Sequence, residues 1–366
     1  MSDAVQASSM TWPADGLGEW WTAADRFARA REPRAPWRAQ ATPSHWADSM
    51  HGLGWASLCG DVARGGHGQP LGALCQVLEA VSAVSASAAA SVYGSAAANL
   101  ALNLCALPPE RSALMRDVSI DWLAWPAFHD LDEQLWPVVD AQGYLRGQVG
   151  LLLNGLHAPW AVLPAQWRDQ GVGLVLVDLR HPAVIRSEPV QTLGLNHAGI
   201  NDVEFGGVPC ELLASRAADV LTALRPQLAV GVLAMQCGLA RASLQDALHH
   251  AQTREQGGGT LMGWGEVRRM LSLMNERLQV LQGLLLAGLT ALATQRQAGA
   301  VPQALGMELH AGDLACAQAS DGIQILGGAG YMHTHAQAQR LCDARQVKGL
   351  MGGVARRRQR LVPGLG

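Results

Sequence analysis

Two histidines and a run of glycines near the C-terminus form the part of this sequence whose residue types could do chemistry at neutral pH. His333 and His335 follow the stretch 327–331, which reads GGAGY. An imidazole titrates near neutral pH and can give or take a proton. Alone, such a glycine run is typical of a turn between two helices, and such histidines are typical of surface or capping residues.

The residue types that bind metals show no pattern of a metal site. The seven cysteines are scattered, odd in number and never spaced as Cys-x-x-Cys, at Cys59, Cys75, Cys105, Cys210, Cys237, Cys316 and Cys342. This distribution argues against a zinc site and against a disulfide framework, and it favours reduced thiols in the cytoplasm. Because no further set of ligands converges in the sequence, we predict no bound metal.

Low charge is the main feature of the composition. Of 366 residues, 16% are charged and 49% are hydrophobic, and the net charge is −3. A nearly neutral chain has no field that attracts nucleic acid or an anionic membrane, and we interpret the basic run 356–360 as a solvated helix end. Segment 80–109 carries no charge, but its Ala, Ser and Asn content favours packed soluble helices over a membrane span. So few charges to cover the surface predict an oligomer.

The pattern of apolar and turn-forming residues divides the chain into three predicted domains, over 1–118, 119–215 and 216–366. The first is helical and includes an alanine-rich helix pair broken near Gly94. The second has short apolar runs between Gly, Pro and Asn, which predict a compact β domain. The third is helical again, with its last two helices predicted over 303–319 and 336–360. A helix from about Trp264 carries an apolar stripe that predicts bundle core, formed by Val267, Met270, Met274, Leu278, Leu281, Leu285 and Leu289.

This domain order, and the motifs near the domain boundaries and in the last helices, resemble the acyl-CoA dehydrogenase family of flavoproteins. In the most specific stretch, 311–346, QILGGAGY resembles the family's Gln-x-x-Gly-Gly-x-Gly-[Tyr/Phe] turn, and CDAR at 342–345 resembles its Arg-Asp-Ala-Lys-type segment. Segment 193–209 resembles the end of the family's β domain, and 229–255 resembles the helix that ends in its Arg-x-x-Phe-Gly signature. The resemblance implies a mainly α fold, with a β-barrel or sandwich domain inserted between N-terminal helices and a C-terminal four-helix bundle.

The resemblance also implies a reaction and a cofactor. Family members dehydrogenate acyl-CoA thioesters between the α and β carbons: a carboxylate takes the α proton, and the β hydrogen leaves as hydride to FAD. The flavin lies between the β domain and the bundle, and the neighbouring subunit holds its pyrophosphate. On that pattern the cofactor-binding residues here are Arg254, a cation with a planar fork suited to phosphate, and the turn residues Gln324, Gly327 and Gly328. The Phe of the Arg-x-x-Phe-Gly signature is replaced by Gly257.

The sequence departs from the family at the catalytic base. The family's base most often lies in a Tyr-Glu-Gly-Thr segment, and the matching position here is Met351. A thioether cannot accept the α proton. In a minority of members the base precedes an Arg in the first helix of the bundle, and here Leu224 precedes Arg225. We therefore recognise no catalytic residue at either position.

The flavin-facing wall of the β domain departs as well. The family's Thr-Glu-Pro segment corresponds to 124–126, where Ala124 replaces the Thr, and its Trp-Ile-Thr-Asn segment corresponds to 151–154, where Leu153 replaces the Thr. Trp125 occupies a polar position of the family and could fill space beside the ring. The groups that a subunit supplies to its own flavin are thus missing, whereas those that it lends to a neighbour are retained.

We interpret the chain as a degenerate partner in a mixed oligomer, such as a tetramer, in which it lends FAD contacts to a complete acyl-CoA dehydrogenase subunit. Ring-bearing acyl-CoA substrates of lipid or steroid catabolism suit such assemblies. One alternative is a stand-alone enzyme with a relocated base, the candidates being Glu204, His333, His335 and Asp343. Another is a non-catalytic protein that binds CoA esters or assists assembly.

Overall fold

The structure is a computed structural model that describes residues 18–30, 53–105, 122–129, 136–167, 171–294 and 300–361. Its helices are α1 (Gly18–Ala30), α2 (Leu71–Val84), α3 (Ala86–Leu104), α4 (Ala217–Thr253), α5 (Gly265–Thr294), α6 (Ala300–Leu326), α7 (Gln337–Val347) and α8 (Val354–Gln359). Its strands are β1 (Leu123–Ala124), β2 (Val138–Val139), β3 (Tyr144–Leu152), β4 (Trp160–Trp167), β5 (Val172–Asp178), β6 (Val184–Arg186), β7 (Asn201–Ala214), β8 (Glu255–Gln256) and β9 (Gly259–Thr260). The described chain therefore has helices on both sides of an inserted β domain, as predicted.

The alanine-rich helix pair breaks at Ser85, so the predicted break near Gly94 is wrong. Ser85 is extended, and its side chain accepts a hydrogen bond from the Ala88 backbone N–H, which caps the start of α3. Gly94 lies inside α3 at a close contact with the β domain. A Cβ at that position would lie 2.7 Å from Cδ2 of Leu153, so glycine is needed for packing there.

Strands β1 to β7 form a closed barrel. The strand order β4-β2-β3-β7-β5 returns to β4, because β5 also pairs with β4. Along β7, buried Val203 and Phe205 alternate with exposed Asp202 and Glu204, which is the period-two pattern of a strand with one face on a core. The described barrel therefore has a packed apolar interior.

The C-terminal helices form the bundle, and the predicted stripe on α5 is its core face. Met274, Leu278, Leu281 and Leu285 are at most 1% exposed, and the other three stripe residues are partly buried. The single predicted helix over 336–360 is wrong. It is two helices, α7 and α8, separated by a turn in which Gly352 has φ +94°, a backbone conformation that glycine adopts readily.

Two described helices are long and apolar enough to cross a membrane by length and composition. The most apolar 18-residue window of α4 is 78% buried within the protein, as in the core helix of a soluble domain. The corresponding window of α5 is only 22% buried. Consequently α5 exposes large apolar side chains, among them Val280 at 48% and Leu286 at 45%.

Candidate functional site

Arg254 lies exposed where α4 ends and a tight hairpin begins. Its backbone N–H donates to the carbonyl of His250, and its own carbonyl accepts from the Leu261 N–H at 2.8 Å, which closes the hairpin of β8 and β9. The turn residues Gly257 and Gly258 have φ +64° and +89°. Two successive positive φ angles characterise the turns that suit a two-residue hairpin. Gly257, which replaces the family's Phe, and Gly258 thus build a short hairpin directly after Arg254.

Trp264 braces this hairpin, and the sequence analysis did not single it out. Its Nε1 donates to the carbonyl of Gln256 at 3.3 Å. Its ring edge lies 2.7 Å from where a Cβ on Gly257 would be, so no side chain fits at 257 without movement. The indole remains 50% exposed. The loss of Phe from the signature is therefore accompanied by a nearby aromatic residue that packs across the turn.

The glycine-rich turn after α6 is exposed as well. Gln324, Gly327 and Gly328 all lie at the surface, and a Cβ on either of these glycines would meet nothing within 4 Å. Gly330 differs, because a Cβ there would lie 2.6 Å from the carbonyl oxygen of Ile323. One glycine thus permits tight packing, while Gly327 and Gly328 leave the main chain open to a ligand.

The turn and the end of α4 lie at the same end of the bundle. Arg340 of α7 forms an ion pair with Asp246 of α4. Burial, and then the nearby charges of His335 and Arg254, lower the pKa of His250. The structure thereby brings the predicted Arg254 and the segment after the glycine turn to one surface. We call this surface, formed by Arg254, Trp264, Gln324, Gly327, Gly328 and 331–335, the exposed edge.

The positions that the resemblance assigns to the flavin ring are closed. Ala124 and Leu153 are 0% exposed, and Trp125 is 2% exposed. Trp125 and Leu153 exchange two backbone hydrogen bonds, at 3.1 and 3.0 Å, and Leu153 packs against Gly94 of α3. Ala124, Trp125 and Leu153 thus present apolar side chains and paired backbone groups at the positions where the family has polar side chains.

The two positions at which the resemblance would put a base hold no acid–base group. Met351 is half-buried in the turn between α7 and α8, beside Leu350, whose carbonyl accepts from the Phe128 N–H at 2.9 Å. Leu224 is 0% exposed in α4. The correspondence of Met351 with the family's glutamate stays a prediction from the sequence.

Asp343, one candidate for a relocated base, joins the β domain to the bundle. Its Oδ1 accepts hydrogen bonds from the Leu195 N–H and from Nε2 of Gln339, both at 2.8 Å. Burial raises its pKa to about 6 despite these bonds. The adjacent Gly194 packs so closely on α7 that a Cβ would lie 2.4 Å from the Cys342 carbonyl oxygen. Both acceptor bonds serve the fold, which gives Asp343 a positioning role.

The structure does not bring the other candidate bases together. Glu204 is exposed on the outward face of β7, whereas His333 and His335 are exposed beyond the glycine turn. In the described ranges, no three His, Cys, Asp or Glu side chains are grouped so as to hold a metal ion. The seven cysteines are unpaired thiols.

Comparison with known proteins agrees with the predicted fold. The family described as acyl-CoA dehydrogenase, C-terminal domain, matches residues 221–361. Cyclohex-1-ene-1-carbonyl-CoA dehydrogenase of Syntrophus aciditrophicus is 24% identical over 325 residues, which cover 83% of this chain and 78% of that protein.

Solved structures share the fold over nearly the whole length. Butyryl-CoA dehydrogenase from Megasphaera elsdenii superposes with a TM-score of 0.80 at 16% identity, covering 94% of this chain and 97% of that one. A glutaryl-CoA dehydrogenase from Mycobacterium smegmatis in complex with FADH2 gives 0.81 at 16% identity, with 98% and 95% covered. A variant of the Tcur3481-Tcur3483 steroid ACAD gives 0.77 at 21% identity, with 94% and 96% covered. The chain therefore has the acyl-CoA dehydrogenase-like fold, and residues 221–361 match that family's C-terminal domain.

Proposed function

We propose that this chain is a partner subunit in a mixed acyl-CoA dehydrogenase oligomer, where its exposed edge contacts the FAD pyrophosphate of a catalytically complete subunit. One observation carries the proposal. The residues assigned to a neighbour's cofactor, Arg254, Gln324, Gly327 and Gly328, are all exposed. Ala124, Trp125 and Leu153, in the wall assigned to the chain's own flavin, are instead buried and apolar.

The exposed edge has the chemistry that a pyrophosphate requires. Arg254 supplies a fixed positive charge with several N–H donors, a combination suited to phosphate oxygens. Gly327 and Gly328 carry no side chain that would keep a phosphate from the main chain, and the space around them is open. The residues of this chain therefore fit the pyrophosphate of a bound dinucleotide.

The wall residues Ala124, Trp125 and Leu153 do not suit the polar ring of a flavin held by this chain alone. None of these three side chains can hydrogen-bond to a polar atom of the ring through an oxygen, as a threonine would, and an unpaired buried polar group costs about 1 to 3 kcal/mol. The partner's bound FAD would supply the hydride acceptor of the reaction. The role of this chain is to bind and orient the pyrophosphate, with the proton-accepting carboxylate on the partner.

Exposed apolar surface supports an association with another subunit. Tyr331 and Met332 of the exposed edge are 71% and 58% exposed, and the apolar α5 lies largely uncovered. Exposed apolar patches of this kind mark protein interfaces. The partner proposed here is a separately encoded acyl-CoA dehydrogenase subunit, and the heteromeric steroid ACAD with this fold is a precedent. The ring-bearing acyl-CoA of the curated relative suggests a cyclic acyl group as the substrate, and unpaired cysteines suit the cytoplasm.

Purification of the chain alone and with a co-expressed acyl-CoA dehydrogenase subunit tests the proposal. We expect the isolated chain to lack the visible absorbance of flavin and to oxidise no acyl-CoA, while the co-purified complex contains FAD and turns over its thioester. A chain that purifies alone with stoichiometric FAD and dehydrogenates a CoA thioester would refute the proposal. The stand-alone enzyme would then be correct, and His333→Ala with FAD still bound would test its base.

A further inference from the structure

Helix α5 carries an exposed glycine that the packing of this chain does not require. Gly283 lies in the interior of the helix Gly265–Thr294. A Cβ built on it would meet nothing within 4 Å in the described part of the chain. Glycine in a helix interior is less stable than alanine, because it loses more backbone freedom on folding. A position that has room for a side chain but holds glycine indicates a close contact with another molecule.

The exposed face of α5 is symmetric about Gly283. Counting three, four, seven and eleven positions in either direction from Gly283 reaches an exposed residue every time. These spacings follow the turns of an α-helix, so the residues lie on one face. We call this set the α5 face, and it consists of Ser272, Glu276, Gln279, Val280, Gly283, Leu286, Ala287, Thr290 and Thr294.

The α5 face is mainly apolar at its centre and polar at both ends. Val280 and Leu286 flank Gly283 and are 48% and 45% exposed. Gln279 is the polar residue of the central part, whereas the outer residues are serine, threonine and glutamate. An apolar centre inside a polar rim is the arrangement of protein interfaces.

The charge pattern of the α5 face favours a second copy of this chain as its occupant. The sequence has no charged residue between Arg277 and Arg296. Contacts between different chains select their partners largely through complementary charges and the repulsion of like charges. Most of the α5 face offers no charge for such selection, and two copies of it do not repel each other. A two-fold contact pairs residue i with j and j with i, which is the symmetry that the face has about Gly283.

We propose that the α5 face binds the α5 face of a second copy of this chain, with the two helices antiparallel and crossing at Gly283. Val280 of each copy then faces Leu286 of the other. The glycines let the helices approach closely, because the distance between packed helix axes depends on the side chains at the contact. A parallel pairing would put the two Glu276 carboxylates side by side. The antiparallel pairing separates them by roughly 21 Å along the axis and places each opposite Thr290.

This contact is separate from the exposed edge. Trp264 and Gly283 are 19 positions apart, which along a helix corresponds to roughly 28 Å. The inference therefore does not rest on the proposed function, and it adds that a mixed oligomer contains this chain in pairs.

Sedimentation velocity of the full chain over a concentration series tests the contact. We expect a reversible dimer for wild type. Leu286→Glu should weaken it at least about tenfold, because the contact would bury an unpaired charge beside Val280. Adding Val280→Lys to the same chain should recover most of the loss, since the antiparallel crossing brings each introduced carboxylate to an ammonium of the other copy. Leu193→Glu, at a leucine that is 64% exposed outside α5, is the matched control and should leave the dimer unchanged.

Gly283→Leu tests the crossing point without a charge. The position has room for the side chain, and leucine favours a helix over glycine, so we expect a melting temperature no lower than that of wild type. The added side chain should nevertheless hold the two helices apart and weaken the dimer about tenfold or more.

Disulfide cross-linking tests the orientation, with the wild-type chain as the control for its native cysteines. A mixture of Glu276→Cys and Thr290→Cys chains should form cross-linked dimers. Glu276→Cys alone should not, because roughly 21 Å between its copies exceeds the reach of a disulfide. Equal cross-linking of Glu276→Cys with itself would overturn the antiparallel crossing.

Circular dichroism establishes that each variant is folded. The proposal is overturned if the folded wild-type chain stays monomeric at every concentration, or if folded Leu286→Glu and Gly283→Leu associate as tightly as wild type. If Leu286→Glu leaves self-association unchanged and instead prevents co-purification with an acyl-CoA dehydrogenase subunit, the α5 face binds that subunit and the proposal is likewise overturned. Loss of FAD contacts at the exposed edge would leave all these results unchanged, so the two proposals fail separately.

Discussion

The buried ion pair between Glu79 of α2 and Arg241 of α4 offers the sharpest test of how the N-terminal helices are held to the bundle. The two side chains are 2% and 4% exposed, and Nε of Arg241 lies 2.7 Å from Oε1 of Glu79. Trp21 of α1 donates to the other carboxylate oxygen, and the guanidinium lies 5.1 Å from the centre of the Trp21 ring. One ion pair thus joins three helices.

Glu79→Gln keeps the size of the side chain but leaves the Arg241 charge buried without its counter-charge. Removing one partner of a buried pair costs about 3 to 5 kcal/mol, which shifts the unfolding equilibrium by roughly a hundredfold to a few thousandfold. The matched control is Asp219→Asn, because Asp219 pairs with Arg216 and their side chains are 62% and 77% exposed. An exposed pair contributes about 0 to 1 kcal/mol.

Urea denaturation followed by circular dichroism measures both variants. We expect the free energy of unfolding of Glu79→Gln to fall by at least about 3 kcal/mol, while Asp219→Asn changes little. In the double variant Glu79→Leu with Arg241→Met, which removes both charges, we expect most of the loss to be recovered. A Glu79→Gln loss no larger than that of Asp219→Asn would refute the reasoning that this pair is desolvated and joins α1, α2 and α4.

Three further predictions follow from the fold and the exposed edge. Gly94→Val places a side chain against Leu153, so we expect it to lower the free energy of unfolding by about 1 to 3 kcal/mol; an unchanged urea midpoint would contradict the close contact. Because burial raises the pKa of Glu308 to about 7 and of Asp343 to about 6, above 4.5 and 3.8, the folded chain holds protons that the unfolded chain releases. The stability that these two groups contribute should therefore decline as the pH rises from about 4.5 to about 7, and a melting temperature that rises over that interval would contradict it. Trp264→Ala should loosen the hairpin after α4 and lower FAD retention in the mixed complex, measured by flavin absorbance; full retention would exclude bracing by the indole.

The sequence predicts a helix of this fold well where the regular spacing of apolar residues alone determines its buried face. The stripe on α5 follows helical periodicity, and Met274, Leu278 and Leu281 are core residues. Helix breaks are harder to predict. A glycine at 94 suggests a break, but its lack of a side chain instead allows a close contact with Leu153, which is remote in the sequence. Ser85 lies between α2 and α3 and caps the start of α3. Serine is too common in sequences for one such residue to predict a helix break.

The exposed edge could be predicted from the resemblance, but the polar contacts inside the bundle could not. Arg254 and the glycine turn carry recognisable motifs, and the structure shows them exposed at one end of the bundle. Gln236 and Glu308 lie side by side but share no motif, because their contact depends on how α4 and α6 pack. Arg357 likewise looked like one of several terminal basic residues, because nothing local indicates its pairing with a buried carboxylate.

The flavin content of the mixed complex with Arg254→Ala in this chain tests the central claim most directly. The control is Arg216→Ala, at an exposed arginine flanking the other end of α4. We expect Arg254→Ala to assemble with its partner but to lose FAD on gel filtration, measured as flavin absorbance per complex, while Arg216→Ala retains it. An Arg254→Ala complex that is intact and keeps as much FAD as the control would contradict the account.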